Sequence, residues 1–147
     1  MISENLKTVL ATTFVFYLKA HKFHWNVMGN DFAQYHEFFG ELYEETYTAV
    51  DPIAEFIRTQ GVFSPGSLTE FAEMSNIKDS VDDLSDGMAM VQTLATDNQL
   101  ILNILNQAYD VSEAERTFDV SDMLAGRIAA HKKHGWMLNA FLNRQQG

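Results

Sequence analysis

The sequence predicts an all-α fold: a four-helix bundle with a short extra helix in a long crossover between the second and third helices. Three observations carry this. Apolar residues recur at steps of three and four along four long segments. Only two prolines occur, Pro52 and Pro65, and neither sits in a repeated strand-turn pattern. The second and third segments are joined by a long link, whereas a plain up-down bundle would need a short one there. The length of 147 residues suits one domain, 1–147, with a sizeable core.

The first helix is marked by Leu6, Val9, Leu10, Phe14, Tyr17, Leu18 and His21. Ser3 is its expected N-cap. Gly29 is its expected stop, since glycine tolerates the left-handed geometry just past a helix end. Asn30 or Asp31 then caps a second helix running from about 31 to 60. Its apolar stripe is Phe32, Tyr35, Phe39, Leu42, Tyr43, Thr46, Val50, Ile53, Ala54 and Ile57, and Gly61 ends it. Pro52 lies inside this helix and removes one backbone hydrogen bond, so a local kink is expected near Ala49. In the link, Ser67 and Glu70 have the spacing of a capping box, predicting a short helix from about Leu68 to Glu73. The third helix is expected to start near 76–79, to use Val81, Leu84, Met88, Val91, Leu94, Leu100, Ile101, Ile104, Leu105 and Ala108, and to fade around 113–115. Asp119 is the expected cap of the fourth, whose apolar positions are Met123, Leu124, Ile128, Trp136, Met137, Leu138 and Phe141.

Charge and composition narrow the function. Twenty acidic residues against ten basic ones give a formal net charge of −10. That balance disfavours tight binding to nucleic acid phosphates, which needs clustered Lys and Arg, and is compatible with attracting cations. The absence of cysteine excludes disulfides and thiolate sites. The N-terminal residues lack the pattern of a secretory leader. The most apolar stretch, 9–18, is far shorter than the ~20 residues of a membrane span. A soluble, cytoplasmic protein without membrane association is the expectation.

One quarter of the chain concentrates metal-binding residue types. His24 and His36 flank the turn at 29–31 almost symmetrically, so in an antiparallel hairpin their imidazoles stand at similar heights. Asp51 and Glu55 are four apart and share one helix face. Together they form a mixed nitrogen and oxygen ligand set of the kind transition metals take. Yet His36 and Asp51 lie 15 residues apart on one helix, or roughly 22 Å at the α-helical rise. Metal–ligand bonds of about 2 Å cannot span that. Either the two pairs form separate weak sites, or the histidines of one chain meet the carboxylates of another. A two-fold axis across antiparallel second helices would make that exchange twice per dimer.

The string Phe23-His24-Trp25-Asn26-Val27-Met28-Gly29, then Tyr35-His36-Glu37, then Asp51-Pro52-Ile53-Ala54-Glu55, resembles the Dps proteins, the mini-ferritins of the ferritin-like superfamily. Asp122-Met123-Leu124 followed by Trp136-Met137-Leu138 is similar to the last helix of that family. The resemblance spans nearly the whole chain. It implies a hollow homododecamer built from two-fold dimers, with a ferroxidase site at each end of every dimer interface. His24 and His36 of one subunit would then meet Asp51 and Glu55 of the other. Trp25 would stand beside the site, where the family's tryptophan takes up oxidising equivalents. The implied activity is oxidation of Fe(II), commonly with hydrogen peroxide, and storage of ferric iron as mineral. Acidic residues near Asp119 and Asp122 would line pores for iron entry.

The alternative is a DNA-binding, nucleoid-compacting structural protein with little oxidation activity. Many Dps proteins bind DNA through a Lys/Arg-rich terminal extension, but Lys7 is the only basic residue among the first eighteen. Weak or absent DNA binding is therefore expected. Ferritins that build a diiron centre inside one bundle use Glu-x-x-His pairs. Here Ala33 precedes His36 by three and Ile128 precedes His131 by three, so that pattern is missing. His131 and His134 share a face near the end of the last helix. With no carboxylate evident beside them, they read as residues complementing the helix dipole. His21 reads as an exposed helix residue or a support for the site, the former preferred.

Overall fold

A computed structural model describes residues 1–79 and 81–144. The elements are α1 (Ile2–Asn26), α2 (Phe32–Thr59), the short α3 (Leu68–Met74), α4 (Gly87–Ala114) and α5 (Phe118–Phe141). There is no strand among the described residues, and no helix among them is long and apolar enough to cross a membrane. The four long helices and the short one in the crossover match the order expected from the apolar spacing.

α1 is the spine of the bundle. It packs against α2, α3 and α4, while α4 packs against α5. Its Leu6, Leu10, Phe16 and Phe23 are fully buried, meeting Phe39, Leu42, Ile53 and Ile57 of α2 and Met90, Leu94, Ile101 and Leu105 of α4 in one core. Each such side chain contributes about 1.5–3 kcal/mol of apolar burial. This explains why one stripe of sequence places the two helices that carry the site.

The hairpin between α1 and α2 sets the height of everything near it. α1 stops at Asn26, Val27 turns extended, and Met28 donates its N–H to the Ser85 carbonyl at 2.9 Å. Gly29 then takes φ +98° and Asp31 φ 64°, left-handed values that reverse the chain within five residues. Asp31 occupies the N-cap position of α2 but makes no capping hydrogen bond through its side chain. The helix passes continuously through Pro52. Pro52 and Thr48, whose carbonyl loses its partner there, are both exposed, so water can satisfy the acceptor.

The crossover is tied to α1. Ser67 and Glu70 form the expected capping box. Phe71 packs on Phe14 at 4.7 Å. The buried Thr12 hydroxyl accepts the Asn76 N–H at 2.8 Å. Lys19 donates to the Lys78 carbonyl at 3.0 Å and pairs with Asp97 of α4 at 2.6 Å.

Several expected boundaries are corrected. α4 begins at Gly87, not near 76–79, with Asp86 accepting the Ala89 N–H at 3.1 Å. Residues 81–85 are not helical; Val81 is 86% exposed rather than part of an apolar stripe, and Ser85 is held by Met28 instead. Gly87 is required where it stands, since a Cβ there would lie 2.5 Å from the Tyr35 ring. Ser3 is not the cap of α1 but sits buried inside its first turn, with Met1 at the cap position. Thr117 precedes α5, which leaves Asp119 in its first turn. Trp136 is exposed, not a core residue.

Candidate metal centre

His24 lies in the last turn of α1 and His36 in the second turn of α2. The hairpin brings their rings face to face, with centroids 3.7 Å apart and planes 16° from parallel. Each ring is held by the other residue's backbone. His24 Nδ1 lies 2.6 Å from the His36 carbonyl, and His36 Nδ1 lies 2.7 Å from the His24 carbonyl. A carbonyl only accepts, so both Nδ1 atoms carry the proton and donate. In the neutral imidazole this leaves the lone pair on Nε2. Donation from one ring nitrogen to a backbone carbonyl, with the other nitrogen free, is how metal-ligating histidines are oriented. Phe32 stacks on the outer face of His36 at 5.1 Å, and Tyr43 stands edge-on to His24 at 5.2 Å.

Gly40, one turn after His36, makes this stack possible. A Cβ at Gly40 would sit 3.2 Å from both Cε1 and Nδ1 of His24, tighter than ordinary packing. Sequence reasoning missed it. The available signal was a glycine inside a helix, at the spacing that places it on the His36 face.

Asp51 and Glu55 project from the exposed face further along α2 and make no hydrogen bond or ion pair among the described residues. α2 is continuous from His36 to Asp51, so the separation of roughly 22 Å holds. No group of three or more His, Cys, Asp or Glu side chains positioned to hold a metal exists among the described residues of one chain. The structure thus brings His24 to His36, leaves Asp51 beside Glu55, and keeps the two pairs apart. Trp25 is 61% exposed and lies on His21, their rings 3.9 Å apart. Asp119 and Asp122 are exposed at the start of α5.

The ferritin-like domain family matches residues 3–146. DNA protection during starvation protein 2 of Bacillus anthracis is 34% identical over 144 residues, covering 97% of each chain. The chain belongs to the Dps family. The structure of Dps from Staphylococcus aureus superposes with a TM-score of 0.91 at 33% identity, covering 96% of this chain and 94% of that one. The Dps protein of Vibrio cholerae O1, a member of a broad superfamily of ferritin-like diiron-carboxylate proteins, superposes with a TM-score of 0.92 at 27% identity, covering 96% and 88%.

In this Dps chain the space between the helices is occupied by an ion network. Arg127 of α5 forms a two-pronged pair with Glu45 of α2, at 2.5 and 3.0 Å. His134 Nε2 lies 2.7 Å from the same carboxylate. Arg127 also donates to His131 Nε2 at 3.0 Å, and His131 Nδ1 in turn donates to the Asn98 side-chain oxygen at 2.8 Å. His131 and His134 are therefore not dipole-complementing residues without a carboxylate: both are buried, and Glu45 is arranged with them. Burial pushes the Glu45 carboxyl up, but hydrogen bonds and charge from His134 and Arg127 outweigh it and hold the group far below the usual carboxylate range. Burial, with Arg127 and His134 adding to it, keeps His131 well below the ordinary imidazole value, hence neutral. A guanidinium already neutralises the interior carboxylate. His21 is likewise corrected: it is half-buried, stacked on Tyr43 at 3.7 Å and 6°.

Proposed function

We propose that this Dps chain is a ferroxidase and iron-storage protein whose site is completed by a second copy of itself. In this reading His24 and His36 of one subunit, with Trp25 beside them, face Asp51 and Glu55 of its two-fold mate. The dimers assemble into a dodecameric cage, and hydrogen peroxide is the oxidant. The observation that carries the proposal is the reciprocal pairing of the two imidazoles with each other's carbonyls. It commits both Nδ1 protons and leaves a lone pair on each Nε2, while no group of three or more His, Cys, Asp or Glu able to hold a metal exists among the described residues of one chain. The family, and the diiron-carboxylate superfamily to which the Vibrio cholerae relative belongs, support iron as the substrate.

The donor set fits Fe(II). Two imidazoles and two carboxylates suit a divalent first-row metal, and would also accept zinc or cobalt. Selectivity for iron then comes from redox turnover. Two ferrous ions supply the two electrons that take one peroxide to two waters, with two protons consumed, and no hydroxyl radical is released. The protein's part is orientation: the carbonyls fix the imidazoles, Gly40 gives His24 its position, and the exposed carboxylates bring negative charge that draws the cations in. Asp119 and Asp122 would serve as entry-pore carboxylates in such a cage.

Aerobic and peroxide-driven Fe(II) oxidation, followed by absorbance, tests the assignment. Asp51→Ala is expected to lose nearly all of the rate; a rate equal to the parent's would refute Asp51 as a ligand. Gly40→Ala is expected to retain fold and assembly but to slow oxidation about 10-fold, because the methyl group displaces a ligand that must be held in place. The net charge of −10 favours this function over nucleoid compaction, since it disfavours association with DNA phosphates.

A further inference from the structure

Beside the histidine pair lies a set of aromatic residues that the ligand chemistry does not use. Tyr17, His21 and Trp25 recur every four residues on one face of α1, and Tyr43 and Tyr47 do the same on α2. They form a continuous ladder. Trp25 contacts His21 at 3.9 Å, and His21 stacks on Tyr43 at 3.7 Å. Tyr43 meets His24 at 5.2 Å, and Tyr17 meets Tyr47 at 4.9 Å, the latter 56% exposed. The Tyr17 hydroxyl lies 3.0 Å from Nδ1 of His21. No core requirement explains five polar-tipped rings in a row: Trp25 and Tyr47 are exposed, and His21 gives up solvation to stand between Trp25 and Tyr43.

We infer that Tyr17, hydrogen-bonded to His21, is an electron reservoir for the site, supplying the second electron to peroxide when only one ferrous ion is bound. The inference rests on the ferroxidase reading above and concerns its incomplete state. One Fe(II) provides one electron, and the half-reduced oxidant would otherwise be set free. A phenol gives up an electron readily only if its proton leaves at the same time, because the phenol radical cation is a very strong acid. Among the described residues, Tyr17 is the one tyrosine of the ladder with a hydrogen-bonded base: its hydroxyl donates to His21 Nδ1, with the imidazole proton on Nε2. Burial, then the neighbouring tyrosines Tyr47 and Tyr43, raise the Tyr17 phenol, so it starts protonated.

The step balances. Fe(II), the Tyr17 phenol, neutral His21, one peroxide and two further protons give Fe(III), a neutral Tyr17 phenoxyl radical, protonated His21 and two waters. The O–H bond of Tyr17 breaks, its proton passes to His21, and its electron travels through the His21–Tyr43 stack or through Trp25 to the oxidant as the peroxide O–O bond breaks. Tyr47 carries the oxidising equivalent on to the surface.

The test is electron paramagnetic resonance of the assembled protein, loaded with one Fe(II) per site, mixed with peroxide and frozen within milliseconds to seconds. The parent is expected to show a tyrosyl radical, Tyr17→Phe to lose it, and Tyr109→Phe, at a half-buried tyrosine of α4 outside the ladder, to keep it. A tyrosyl signal unchanged in Tyr17→Phe overturns the inference, as does a parent that oxidises Fe(II) without forming one. A metal-free arm separates this from the ferroxidase reading. In a Trp136→Phe background, pulse radiolysis with azide radical oxidises Trp25. Decay of the tryptophanyl absorption into a tyrosyl one, abolished by Tyr17→Phe, supports the relay even if the parent does not oxidise iron. Decay unaffected by Tyr17→Phe overturns it.

Discussion

Subunits carrying His24→Ala with His36→Ala, co-assembled with subunits carrying Asp51→Ala with Glu55→Ala, are expected to oxidise Fe(II) when neither variant does so alone. Stoichiometry gives the size of the effect. In the proposed two-fold dimer each site would take histidines from one copy and carboxylates from the other. A mixed dimer therefore has one site with both halves intact and one with neither. Random pairing makes half the dimers mixed, so about a quarter of the parental sites should return. A centre closed within one chain would return none. The separation of roughly 22 Å between His36 and Asp51 along α2 is the physical basis. The measurement is the initial oxidation rate after unfolding the two variants together and refolding them, against each refolded separately. Zero recovery in a mixture shown by mass spectrometry to contain mixed dimers would rule out a shared site.

The separation of the two pairs within one chain was legible in the sequence because it depends only on helical rise and on symmetry about a turn. The spacing of His24 and His36 around Gly29, and of Asp51 and Glu55 along a helix, survives small errors in helix boundaries. What was not legible depends on contacts between residues remote in sequence. The start of α4 is set by Met28 capturing the Ser85 carbonyl and by Tyr35 filling the space over Gly87. Val81 mimics a helical stripe without having a core to face and ends in solvent, while Leu84 packs against the core from non-helical backbone. The crossed carbonyl bonds of the two histidines require the register of α1 against α2, which packing of Phe23 against Phe39 supplies. His131 and His134 misled for a related reason. The local string His131-Lys132-Lys133-His134 shows no carboxylate beside the histidines, while Glu45 and Asn98, which justify burying them, come from other helices.

Glu45→Gln is expected to be among the most destabilising single substitutions outside the core, and its cost should depend on pH. Arg127 is only 9% exposed and His131 is fully buried. Removing the carboxylate charge leaves the guanidinium in the interior without its counter-ion. Breaking a buried pair on one side costs about 3–5 kcal/mol; Glu45 keeps 36% side-chain exposure, so the lower end applies, about 3 kcal/mol. For a chain of this size that is roughly 6–12 °C in Tm. The sign with pH follows from the lowered Glu45 carboxyl. Below the unfolded value of 4.5 the unfolded chain binds a proton that the folded chain refuses, so stability from this group is full above that pH and lost as pH falls further. His131 acts in the same direction from a higher starting point: its unfolded value is 6.5, and burial keeps it neutral in the fold. Parent stability should therefore decline in two stages, below about 6.5 and again below about 4.5. Asp97 opposes the second stage, since burial raises its carboxyl despite the Lys19 partner. The Glu45→Gln difference isolates one contribution from the rest. Its gap from the parent should be constant between pH 6 and 8 and should narrow only in acid, as measured by thermal unfolding at matched protein concentration. A gap that stays the same down to pH 3 would mean that Glu45 stabilises by shape and not by charge.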